Sequence, residues 1–79
     1  MWYHYRLNYE VRSDGEVIGK VSRRGWYDPV ELIGAIRDQM RQVTLQQVAD
    51  PNVDAKDLSV SYIGYEILGK RGGRITVKR

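Results

Sequence analysis

Tyr3-His4-Tyr5-Arg6-Leu7-Asn8-Tyr9-Glu10-Val11-Arg12, followed by Ser13-Asp14-Gly15, is the stretch that decides the fold. Its odd positions are aromatic or aliphatic and its even positions polar, the period-two pattern of a strand with one buried and one wet face. Ser13-Asp14-Gly15 then supplies turn chemistry, with Gly15 free to take positive φ. Glu16 to Arg23 resumes as a second strand carrying Val17 and Val21 inward, so a β-hairpin opens the chain. Gly19, between those valines, is expected to let an aromatic ring or the helix backbone approach closely.

Downstream, Asp28-Pro29-Val30-Glu31 is a helix start. Asp28 can accept from first-turn amides, Pro29 loses no needed donor, and Glu31 completes a capping box. The pattern predicts a helix from Pro29 to about Val48. At about 100° per residue, Leu32, Ile33, Ile36, Met40 and Val43 fall within one arc that faces the sheet, with Arg37, Arg41 and Leu45 on the other side. Asp50-Pro51-Asn52 ends the helix, and Leu58 to Leu68 reads as a third strand. Its apolar parity switches from Leu58, Val60 and Tyr62 to Ile63, Tyr65 and Ile67, which a bulge near Tyr62 to Gly64 would reconcile. Gly69-Lys70-Arg71-Gly72-Gly73 reads as a turn and Arg74 to Lys78 as a short fourth strand. The expected fold is α+β: one ββαββ domain over residues 1–79. It has a four-stranded antiparallel sheet, ordered second, first, third, fourth strand, with one helix packed on one face.

The 79 residues carry 13 Lys plus Arg against 10 Asp plus Glu, a net charge of +3, and no cysteine. A chain of this size builds one domain with a thin core. Without cysteine there is no disulfide framework, thiolate metal site or cysteine nucleophile. The apolar runs are short, so neither a signal peptide nor a membrane span is expected. The expected location is the cytoplasm, that of the host if the chain is phage-encoded.

Catalytic residues are scarce. His4, the one histidine, sits on the polar parity of the first strand. The pairs Asp54 with Asp57 and Asp14 with Glu16 lie in turn-like segments where acids serve local capping, and Asp28 and Glu31 are explained by the capping box. Gly69 to Arg74 resembles a phosphate-binding glycine loop but lacks the Walker spacing and the Ser or Thr after the lysine. The reading is a non-enzymatic protein with no cofactor and no metal.

Connectivity nevertheless concentrates charge. If the end where the first strand starts is called end A, the second strand, the helix and the turn after the third strand all have a terminus there. Arg23, Arg24, Trp26 and Tyr27 would then meet Lys70, Arg71 and Arg74 around the helix N-terminus. Guanidinium groups, the helix dipole and glycine-turn amides would together face phosphate or carboxylate oxygens, with Trp26 and Tyr27 stacking on bases. The partner expected there is nucleic acid or an acidic protein surface. A second reading places a protein partner on the helix back, at Arg37, Arg41 and Leu45, or on the polar sheet face. A third is a homodimer paired through the edge of the first strand near Trp2 to Arg6, unless the third strand covers that edge.

With its Tyr5-Arg6-Leu7-Asn8-Tyr9-Glu10-Val11 opening strand, Asp14-Gly15 turn and single capped helix, the chain resembles the small orphan proteins of phages and mobile elements. Anti-CRISPR and other host-takeover inhibitors are among these. The resemblance covers the whole chain as an architecture and carries no residue-specific motif. It implies a protein-binding inhibitor or accessory factor of nucleic-acid machinery, and it transfers no site.

Overall fold

The computed structural model describes residues 1–52 and 57–71. Strand β1 (Trp2–Ser13) turns through Asp14 and Gly15 into β2 (Glu16–Tyr27). Both turn residues have positive φ, 52° and 82°, the two-residue hairpin geometry whose twist matches that of the strands it joins. A 3-10 turn at Pro29–Glu31 leads into helix α1 (Leu32–Ala49), and β3 (Leu58–Arg71) follows. The sheet is antiparallel with order β2-β1-β3, so β1 is central.

The capping box forms as read. Asp28 Oδ1 accepts from the Val30 amide at 3.1 Å, and Glu31 Oε1 accepts from the Asp28 amide at 3.2 Å. At the far end the Asp50 amide donates to Gln47 O and its carboxylate accepts from the Asn52 amide, turning the chain over Pro51.

The expected four-stranded sheet is corrected: among the described residues the sheet has three strands. Gly69, Lys70 and Arg71 do not turn; they pair with His4, Tyr3 and Trp2 and extend β3 to fourteen residues. Because β1 begins at Trp2, it still offers backbone partners at this end, and each new ladder bond satisfies amide and carbonyl groups that a turn would leave to water. Residues 74–78, read as the fourth strand, lie outside the described residues.

Two register shifts make β3 fit β1. One, between Asn8 and Tyr9, leaves Ile63 as the extra residue beside Gly64 at φ 136°, the bulge that the parity switch predicts. The other, between His4 and Tyr5, leaves Leu68 as the extra residue. A third shift, in β2, corrects the sequence reading. Ile18 is extra there, Gly19 opposes Val11, and Val17 falls opposite Arg12 on the outer face, 45% exposed. Among the described residues nothing comes within 4 Å of where a Gly19 Cβ would stand. The close approach is at Gly25, where a Cβ would stand 2.5 Å from the Tyr27 hydroxyl oxygen because the Tyr27 ring folds back over it.

The core is Tyr5, Leu7, Tyr9 and Val11 of β1 with Ala35 and Val43 of α1. The central strand dominates because both its edges are paired and one face is covered. On the helix, Leu32, Ile36, Met40 and Val43 face the sheet as expected, but Ile33 is 68% exposed and Ala35 takes its place. Tyr9 supplies a reason: its hydroxyl donates to Ile36 O at 2.7 Å, drawing the helix so close over a tyrosine-rich face that a small residue fits where isoleucine would not. Val21 and Tyr27 of β2 and Leu58, Val60 and Tyr62 of β3 are packed against the core, whereas Tyr65, Ile67 and Leu68 are exposed. The helix therefore crosses the sheet obliquely.

Candidate nucleic-acid interface

Alternation sends the even residues of β1 to the face turned away from α1. Trp2, His4, Arg6, Asn8, Glu10 and Arg12 stand there, flanked by Trp26, Arg24, Ser22 and Lys20 of β2 at paired positions. On the β3 side the corresponding positions are Gly69, Glu66, Gly64, Ser61 and Ser59. One half of this face is thus aromatic and basic, while the other carries glycine and serine on either side of Glu66.

Polar side chains tie the middle together. Arg6 Nη1 lies 3.0 Å from Glu66 Oε1, Asn8 Nδ2 donates to the same oxygen at 3.4 Å, and Ser22 Oγ donates to Asn8 Oδ1 at 2.8 Å. The bonds from Arg6 first, and Asn8 second, hold the Glu66 carboxyl below its ordinary range. Glu10 is likewise engaged by Arg12 at 2.8 Å. Arg24 differs. It stands directly opposite Arg6, a like-charge pair that is unfavourable by itself. Glu66 offsets Arg6, but among the described residues neither Arg24 nor Lys20 has a carboxylate within 4 Å. Four cations, Arg6, Arg12, Lys20 and Arg24, face two carboxylates, Glu10 and Glu66, and the excess positive charge lies along β2.

The aromatic element is at end A. The His4 and Trp26 rings are stacked with centroids 4.7 Å apart and planes 10° from parallel, and Trp2 follows at the strand start, 46% exposed. Beside them a cleft is lined by Trp2, Trp26 and Tyr27 with Val30, Glu31, Gly34, Ala35 and Asp38 of the helix start. Two carboxylates on its wall make it unsuited to phosphate. The entry to the helix is also engaged, since Asp28 accepts from the Val30 amide and Glu31 from the Asp28 amide; the Val30 bond holds the Asp28 carboxyl below its usual range.

The residues grouped by sequence at end A therefore divide. Arg24 and Trp26 belong to the open face. Arg23 and Tyr27 belong to the helix side, where Arg23 reaches Gln46 Oε1 and Tyr27 covers Gly25. Lys70 pairs with Tyr3 and so takes the helix-side parity, while the Arg71 backbone pairs with Trp2. Arg74 lies outside the described residues. His4, Arg6, Lys20 and Trp2 are brought into the site by the sheet alone. For the three on β1 the signal is that strand's even parity, which marks a wet face but does not say which β2 side chains, Lys20 among them, stand beside it.

Among the described residues no cluster of three His, Cys, Asp or Glu side chains could hold a metal ion, and no helix is long and apolar enough to cross a membrane. Comparison with family models, with curated proteins and with solved structures gives no match.

Proposed function

We propose that this is a non-enzymatic binding protein that holds single-stranded nucleic acid on the sheet face opposite α1. The observation that carries the reading is the stacked His4–Trp26 pair in the same open face as Arg24 and Lys20, cations with no acidic partner among the described residues. Bases stack on aromatic planes without regard to sequence, and cations beside those planes meet the phosphates. The glycines and serines of β3 on either side of Glu66 leave room for a strand to lie across the sheet. Stacking needs unpaired bases, so single strands are bound in preference to duplex.

Fluorescence anisotropy of labelled oligo(dT), oligo(U) and a duplex of equal length, at about 50 and 200 mM salt, tests this directly. Single strands are expected to bind at the lower salt and to weaken steeply at the higher. Arg24→Ala should flatten the salt slope, and Trp26→Ala should cost about tenfold or more in affinity. No binding at the lower salt, or binding indifferent to both substitutions, would overturn the assignment.

A further inference from the structure

The opposite side of the molecule carries a second surface that the nucleic-acid reading leaves unused. Val30 of the 3-10 turn and Ile33, Arg37, Arg41, Leu45 and Val48 of α1 follow one another at intervals of three or four residues, one line about 27 Å long up the outside of the helix and the turn that leads into it. The four apolar members are 89, 68, 56 and 51% exposed, in chain order. Scattered exposed apolar residues are ordinary on a small protein; four in one line, two at each end, are not scatter.

The middle of the line is cationic. Arg37 and Arg41 are one turn apart and exposed, and among the described residues neither has a carboxylate within 4 Å, Asp38 included. Beside them runs a groove lined by Arg37, Met40, Arg41, Thr44 and Leu45. The Thr44 hydroxyl is turned back to donate to Met40 O, so the groove presents methyl and methylene groups between two guanidinium groups.

We propose that this face docks an acidic amphipathic helix of a partner protein, with two carboxylates one turn apart at its centre and apolar residues on either side. The charge layout selects that occupant over a second copy of the chain. The stripe is symmetric about a point between Arg37 and Arg41, so two copies packed antiparallel would set each arginine against the other copy's arginine at the centre of the interface. A partner supplying carboxylates there converts repulsion into bidentate pairing. Ridges of a facing helix seat along such a row at ordinary helix–helix spacing. This surface is separate from the open sheet face, and the two can be occupied together, making the protein a bridge between a nucleic-acid strand and an acidic helix.

The test uses the full chain and three fluorescein-labelled eighteen-residue helical peptides. They share Leu at both ends of one face and differ at two central positions one turn apart, carrying Glu, Gln or Lys. The Glu peptide is expected to bind at least tenfold tighter than the Lys peptide. Arg37→Glu with Arg41→Glu should reverse that order, and Ile33→Ser with Leu45→Ser should weaken the Glu peptide at least tenfold, with unchanged circular dichroism. Equal binding of the Glu and Lys peptides, no binding of the Glu peptide, or indifference to the substitutions would overturn the proposal. So would a dimer by sedimentation that Ile33→Ser with Leu45→Ser dissolves, since the occupant would then be a second copy. Oligonucleotide binding should be unchanged in the Ile33→Ser, Leu45→Ser variant, which separates this surface from the open face.

Discussion

Tyr5, Leu7, Tyr9 and Val11 alternate along β1 with Arg6, Asn8, Glu10 and Arg12, and the first four are no more than 3% exposed while the second four face outward in hydrogen bonds and ion pairs. The inner row is held by apolar area removed from water, and the Tyr9 hydroxyl among it is satisfied by Ile36 O. The outer row is held by exposed charge pairs, each of which contributes little to stability. Side chains that need burial are thus confined to one face, and the other is left able to change partners. A face whose bonds are already made to water or to neighbouring side chains can exchange them for a ligand at small cost.

The contrast can be broken by substitution. Leu7→Ala removes a fully buried side chain at the sheet centre and should lower unfolding free energy by about 2 to 5 kcal/mol, whereas its neighbour Asn8→Ala should cost less than about 1 kcal/mol. Equal losses in urea denaturation would abolish the distinction between the faces. Next in size is Gly64→Ala. Gly64 holds the β3 bulge at φ 136°, where a side chain is strained, and about 1 to 3 kcal/mol should be lost as the register of Tyr65 to Arg71 comes under stress.

Tyr9→Phe sharpens the comparison through pH. Burial first, then the neighbouring Tyr62 and Tyr27, push the Tyr9 hydroxyl from 10.0 up to about 12. The folded chain thus keeps its proton where the unfolded chain loses it. That contribution is fully present below pH 10 and falls away as pH rises toward about 12. The variant should lose about 1 kcal/mol at neutral pH and show a shallower fall in stability over this alkaline range. A parallel fall in both proteins would sever the link.

The smallest effect is expected at Glu66→Gln on the outer face. Because the folded carboxyl titrates below its ordinary range, its contribution is present above the unfolded value and lost as pH falls through the folded one. At pH 7 the thermal midpoint should barely move, while oligonucleotide binding should tighten, since Arg6 loses its carboxylate partner. Weaker binding would argue that Glu66 positions Arg6 for the ligand.

What could be read from the chain was local. The Asp14-Gly15 turn, the capping box at Asp28 and the bulge at Ile63 each depend on residues a few positions apart, and each is present. What could not be read depends on distant partners. Leu68 and Ile18 became extra residues only because β1 dictates the register of both neighbours, and the Ile18 shift sent Val17 to the outer face. In the same way Arg23 and Arg24, adjacent in sequence, went to opposite faces, so no one cluster holds all the basic residues of end A.

Sequence alone determined an amphipathic first strand, a tight hairpin and a capped helix, because alternation, turn conformation and capping are short-range preferences. Tertiary structure alone decided that β3 runs on to Arg71, that Ala35 rather than Ile33 meets the sheet, and that Trp26 and Arg24 share a face with His4 and Arg6. Those outcomes follow from backbone groups seeking ladder partners and from close packing over a tyrosine-rich sheet, two demands met only when the whole chain is in place.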